Sequence, residues 1–257
     1  LLYGMGEKSI VQMADALDGG LHIKEVTYIN GSAYLTETPE QIYNGLEIES
    51  FEEVKRNKQS YCRAFMTQMQ NQNHLSGKTL LQKHGKSYVA VNPPAEPLTQ
   101  RELDAVYALP YTRRPHPMYD ALGGIPAISE VEFSITANRG CAGACSFCAI
   151  TFHQGRVLQS RSEESVVKEA KLLTSLPGFK GYIHDVGGPT ANFYGGGCER
   201  QKKEGACASR QCLYPQICPA FRPNHEKYMH LLEKLRALPK VKKVFIRSGL
   251  RFDCMLA

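Results

Sequence analysis

Nine cysteines stand in this chain of 257 residues, and seven of them fall into two groups. The first group is Cys141, Cys145 and Cys148, spaced C-x3-C-x2-C in the stretch Arg139-Gly140-Cys141-Ala142-Gly143-Ala144-Cys145-Ser146-Phe147-Cys148. Thiolates are the usual ligands of iron–sulfur clusters, and most such clusters take four of them. Three cysteines in one short loop can hold three irons of a [4Fe-4S] cluster and leave the fourth iron without a protein ligand. An open position on a metal is where chemistry happens, as catalytic zinc sites show against closed structural ones. A zinc or disulfide site is the alternative for the same residues.

The second group is Cys198, Cys207, Cys212 and Cys218, spaced C-x8-C-x4-C-x5-C among Gly195-Gly196-Gly197, Pro215 and Pro219. Clustering of this kind in a glycine- and proline-rich stretch is not a periodic core element. It reads as a second metal site, either four-thiolate zinc or an auxiliary iron–sulfur cluster. The spacing is wider than that of paired C-x2-C knuckles, so the metal stays open. Cys62 and Cys254 stand alone, and each reads as a core thiol.

Elements must position these groups. Val131 to Thr136, just before the first cysteines, reads as a strand. Ser162 caps a helix to about Leu176, Gly181 to Val186 is a second strand, His225 to Leu238 a second helix, and Val241 to Ser248 a third strand. Strands in order, joined by helices and with chemistry on the following loops, fit half of a (β/α) barrel over residues 130–257, active at the strand C-termini. Thr190 to Pro223 is a cysteine-rich insertion, long for a βα loop. His184 and Asp185 are adjacent in the second strand, so one of them should face the barrel interior.

The preceding residues, 1–110, read as a separate α/β domain, joined by a linker at 111–129. Leu1-Leu2-Tyr3, the Gly4-Met5-Gly6 turn, a helix stopped by Gly19-Gly20, and Val26 to Ile29 predict a Rossmann-like β-α-β arrangement. Ser50-x-x-Glu53 opens a helix expected to reach about Met69, and Thr99-x-x-Glu102 opens another. Lys78 to Val91 reads as a hairpin turning at His84-Gly85-Lys86. Arg113, Arg114 and His116, in the proline-rich linker, read as solvated charges, with the mouth of a substrate site as the alternative.

The cluster loop, with the aromatic Phe147 directly before the last cysteine, resembles that of radical S-adenosylmethionine (radical SAM) enzymes. The cysteine-rich insertion and the α/β domain before it resemble the YgiQ-type branch. The resemblance implies that Cys141, Cys145 and Cys148 ligate a [4Fe-4S] cluster and that S-adenosylmethionine (SAM) chelates the fourth iron. Reductive cleavage of SAM then yields a 5′-deoxyadenosyl radical that attacks a substrate, which the residues do not identify. An electron donor such as flavodoxin or ferredoxin is implied as partner. Gly187-Gly188-Pro189 stands where such enzymes often carry Gly-Gly-Glu, so Gly187 and Gly188 are carried over as SAM-binding backbone, beside Phe147. The N-terminal part is also similar, more distantly, to cobalamin-binding domains, but lacks their Asp-x-His-x-x-Gly loop. Two competing readings are an RNA-modifying radical SAM enzyme of methylthiotransferase type and a non-catalytic binding module stabilised by metal.

Composition is compatible with all of this. With 42% hydrophobic and 22% charged residues the chain reads as an ordinary soluble protein, and no run of eighteen apolar residues predicts a membrane span. The start lacks the basic head and apolar core of a signal peptide, so a cytoplasmic location with reduced cysteines is expected. A net charge of +6 spread along the chain does not argue for nucleic acid. The chain reads as a fragment, opening late in one strand and closing just after another.

Overall fold

The computed structural model describes residues 1–256. The elements run α1 (Glu7–Asp18), β1 (Ala33–Thr36), β2 (Leu46–Ile48), α2 (Phe51–Arg56), α3 (Lys58–Gln70), β3 (Leu80–His84), β4 (Ser87–Val91) and α4 (Gln100–Tyr107). They continue through α5 (Ile128–Val131), β5 (Ser134–Thr136), β6 (Asn138–Arg139), α6 (Ile150–Gln154), β7 (Gln159–Ser160), α7 (Glu163–Leu173), β8 (Tyr182–Ile183) and β9 (Asp185–Gly187). The last are α8 (Glu199–Glu204), α9 (His225–Arg236), β10 (Lys243–Val244) and α10 (Phe252–Met255). They form a mixed α/β structure of two compact units, neither continuous in sequence. One unit joins Leu1–Pro97 to Ala142–Val157 and Glu199–Tyr214; the other joins Leu98–Cys141, Leu158–Cys198 and the chain from Pro215 on.

The first unit is built on a four-stranded sheet in the order β1-β4-β3-β2. β3 and β4 form the expected hairpin, with His84 opposite Ser87 and Gly85 at φ +61° in the turn. β1 also pairs antiparallel with β4, and only β2 and β3 run parallel. The Rossmann-like β-α-β expectation is therefore not met. Leu2 makes a single bridge to Ser32, and Val26 to Ile29 is not a strand. Its polar backbone is satisfied otherwise: the Asn92 side-chain amide donates to the carbonyls of Thr27 and Ile29, at 2.7 and 3.1 Å. The helix opened by Ser50 has the full capping box but ends at Arg56 instead of running to Met69. Asn57, extended at φ −130°, restarts it, its Oδ1 accepting from the Gln59 N–H at 2.8 Å. Cys62 on α3 is exposed, so it is not a core thiol.

The second unit places parallel strands against two helices. β5 pairs with β9, Ser134 opposite Asp185, and β8 pairs with β10, Tyr182 opposite Lys243. The predicted second strand is thus present but interrupted at His184, whose N–H leaves the ladder for the Phe133 carbonyl at 2.9 Å. The predicted first strand starts late, because Ile128–Val131 is helical. Ser162 and Asn224 cap α7 and α9. Those helices bury Val166, Leu173, Leu231 and Leu235 completely against Ile183 and Val186. Each such leucine contributes about 2 kcal/mol through lost apolar exposure. No closed barrel is formed among the described residues.

The linker is anchored in this unit. Arg113, expected in solvent, pairs with Glu169, which is 7% exposed and also pairs with the fully buried Arg161. Arg161 further donates to the Thr136 carbonyl at 3.0 Å and to Ser165 Oγ.

Candidate metal centre

The residues leading into the first cysteine group are held from both sides. β6 pairs antiparallel with β7, Arg139 opposite Gln159. Arg139 Nε donates to the Tyr107 hydroxyl at 3.1 Å, and its guanidinium lies 5.0 Å from the Tyr107 ring centre. Arg161 lies 4.2 Å from the centre of the same ring. The chain then turns at Gly140, φ +84°, a conformation that favours glycine. Ala144 takes the same left-handed region at φ +48°, and the Cys148 N–H closes a turn on the Cys145 carbonyl at 3.0 Å. α6 begins two residues later.

All three thiols of this loop are partly exposed, and none is in a disulfide. Phe147 is 91% exposed. Three accessible thiols in one loop suit an iron–sulfur cluster by their chemistry. Among the described residues, no three His, Cys, Asp or Glu side chains are already drawn together as a metal site. Thiolate sites commonly form only as the metal binds and protons leave.

Gly187 and Gly188 end β9. A Cβ on Gly187 would lie 2.0 Å from Ser248 Oγ, and one on Gly188 would lie 2.2 Å from the Asn138 carbonyl oxygen. The backbone contact requires glycine at 188, whereas at 187 a side chain would displace the Ser248 hydroxyl. Asn138, which sequence reasoning passed over, is fully buried beside Gly188 with its Oδ1 unpartnered. Asp185 is structural: its Oδ1 accepts from the backbone of Arg247 and Ser248 and from Ser248 Oγ, at 2.8 to 3.1 Å. His184 lies edge-on to Phe133 with its Nδ1 buried and unpartnered.

The second cysteine group has different surroundings. Cys198 and Cys212 are buried, Cys207 and Cys218 partly exposed. In the first unit, the buried Arg156 donates to the carbonyls of Cys207 and Arg210, both at 2.6 Å. Cys212 Sγ accepts from Gln201 Nε2 at 3.2 Å and lies 4.0 Å from the Arg156 guanidinium. Burial pushes the Cys212 thiol up, and the Arg156 charge opposes that shift. Cys212 is thus the sulfur of this group most enclosed by protein hydrogen-bond donors. Asn73, also buried, donates to the carbonyls of Glu204 and Ala206 at 2.7 and 3.0 Å. Neither Arg156 nor Asn73 carries a sequence signal, since each acts through backbone far along the chain.

The geometry defines an α/β protein with a thiol-bearing loop that follows parallel β5 through the short antiparallel β6, and comparison with known proteins gives that class a family. The profile described as Radical SAM N-terminal matches residues 1–134. The chain belongs to the radical SAM superfamily, in its YgiQ-type branch. It is 54% identical over 256 residues to a UPF0313 protein of Clostridium botulinum (strain ATCC 19397 / Type A). It is 50% identical over 258 residues to one of Clostridium perfringens (strain ATCC 13124). Both alignments cover 100% of this chain but only 40% and 39% of the relatives, so the chain spans about 40% of their length.

Proposed function

We propose that this chain is the N-terminal domain and opening barrel strands of a radical SAM enzyme, with Cys141, Cys145 and Cys148 as ligands of a [4Fe-4S] cluster. The observation that carries the reading is the C-x3-C-x2-C loop itself, with partly exposed thiols, following β5 and β6 in a chain of this family. When bound, the cluster and SAM supply reductive cleavage of SAM, releasing methionine and, after hydrogen transfer from substrate, 5′-deoxyadenosine. The chain's own residues position and shield. Arg139, clamped on Tyr107, and Gly140 set the direction in which the loop leaves β6. Gly187 and Gly188 offer backbone at the end of β9 for SAM, and Phe147 offers an exposed ring.

A cytoplasmic compartment and a small electron-transfer partner of flavodoxin or ferredoxin type belong to the same proposal. No helix among the described residues is long and apolar enough to cross a membrane. The second cysteine group is assigned a supporting role, with any metal there auxiliary. The test is anaerobic reconstitution of the intact protein, reduction in the presence of SAM, and assay of 5′-deoxyadenosine. The reading expects product from the native protein and none from Cys141→Ala. Iron-loaded native protein that never cleaves SAM, or zinc in place of iron, overturns it.

A further inference from the structure

One helix of the first unit turns an apolar side to solvent. On α1, Ser9 is 1% exposed and its hydroxyl donates to the Asn30 carbonyl at 2.7 Å, while Lys8 Nζ pairs with Glu96 at 3.0 Å. Ile10, Val11 and Leu17 are 55, 58 and 43% exposed, and Ala14 between them is exposed as well. Ile10, Ala14 and Leu17 stand at i, i+4 and i+7, so with Val11 beside them they form one stripe along the helix. The helix ends in a Schellman turn: the Gly20 N–H donates to the Leu17 carbonyl at 3.0 Å and the Leu21 N–H to the Ala16 carbonyl at 3.1 Å. That turn folds the chain back and adds Leu21, 41% exposed, to the end of the stripe. Surface helices ordinarily turn such a stripe to a core, and a contiguous exposed one marks an interaction surface.

Charge narrows what fits there. The last turn of α1 holds Asp15 and Asp18 and no basic residue. Carboxylates at the C-terminal end of a helix oppose its dipole, and a cation placed there is favourable. Asp18 is exposed and stands four residues after Ala14, at the rim of the stripe. A complementary segment is therefore apolar along its middle and carries Lys or Arg at one edge.

The length of the relatives selects the source of that segment. This chain covers 40% and 39% of the two relatives described above, which leaves roughly three-fifths of their length outside the match. A segment of the same polypeptide is present at an effective concentration that reaches about millimolar. Two separate molecules, by contrast, need about 20–30 residues on each side for a standard interface, far more than this stripe offers. We propose that α1 docks a segment of the intact polypeptide that lies outside these 257 residues, apolar along Ile10, Ala14 and Leu17 and basic at Asp18. The docking goes beyond the cluster reading and does not depend on it.

The test replaces Leu17 by the photo-crosslinking residue p-benzoylphenylalanine in the intact protein, without SAM or reductant. After irradiation the cross-linked peptides are identified by mass spectrometry. The proposal expects a cross-link within one polypeptide to a peptide outside these 257 residues. Asp18→Lys should lower its yield at least about threefold, and Asp18→Glu should leave it unchanged. Lysine at that end favours the helix itself, so a lost cross-link is not a lost helix. A cross-link between two copies, seen as a doubled mass on a denaturing gel, overturns the proposal. So does the lack of any cross-link beyond the 257 residues, or a yield unmoved by Asp18→Lys. None of these results bears on SAM cleavage.

Discussion

The two cysteine groups differ in how the protein treats sulfur. Around Cys141, Cys145 and Cys148 the backbone is fixed at the approach, by the pairing of β6 with β7 and by Arg139 on Tyr107, while the thiols remain accessible. Around Cys207 and Cys212 the backbone carbonyls are bound by the buried Arg156, and one sulfur accepts a hydrogen bond from Gln201. Reactive thiols sit in accessible surroundings, and buried ones behave as packing. Cys207 and Cys218 are as partly exposed as the first three thiols, so the contrast rests on the buried Cys198 and Cys212 and on the bound carbonyls. The proposed function makes the first loop the ligating one, though sequence spacing alone suggests metal for both.

The largest expected effect breaks the comparison if it fails. Alanine at Cys141, Cys145 or Cys148 should abolish the iron–sulfur absorbance of the reconstituted intact protein, whereas Cys212→Ala should leave it near the native level. Equal loss of the same iron in Cys212→Ala would make both groups ligands. Next is Arg156→Met. It removes two charge-assisted hydrogen bonds from a buried guanidinium to part-buried carbonyls, at about 1.5 kcal/mol each, so unfolding in urea should show a loss of about 3 kcal/mol. Asn73→Ala should cost about 2 kcal/mol by the same measurement, since its amide holds the carbonyls of Glu204 and Ala206. Both variants should retain the cluster absorbance. A cluster lost with Arg156→Met in otherwise folded protein would mean that the second region supports the first directly.

Much of this was legible in the chain. The capping boxes at Ser50 and Thr99, the N-cap at Ser162 and the hairpin turn at Gly85 are local signals, and each element starts where its signal stands. The misreadings share a cause. Val26 to Ile29 has strand composition, but its carbonyls are taken by Asn92, more than sixty positions away. Arg113 looks like a linker charge until Glu169 is brought to it across 56 residues. The break at Asn57 was readable, because asparagine favours the cap over the helix interior. The second strand's interruption at His184 was not, since alternation continues through it. At the candidate site, the cysteines and their spacing were legible. Arg156 beside Cys212 and the close backbone approach that demands glycine at 188 were not.

The smallest expected effect is on the pH dependence of stability. Burial raises the thiol of Cys212, and it pushes that of Cys254 from 9.0 to about 12. The unfolded chain loses such a proton near pH 9, while the folded chain still holds it. In that window the unfolded state binds fewer protons, so stability falls as pH rises, by at most about 1.4 kcal/mol per pH unit for each thiol. Below pH 9 both states keep the proton and the contribution is fully present. Urea midpoints measured from pH 8 to pH 10.5 on Cys212→Ala should therefore decline less steeply than those of the native protein, whatever the variant's starting stability. An unchanged slope would mean that Cys212 ionises in the fold as readily as outside it. The second group would then be as available for metal as the first, and the difference in treatment of the two sulfur regions would reduce to access alone.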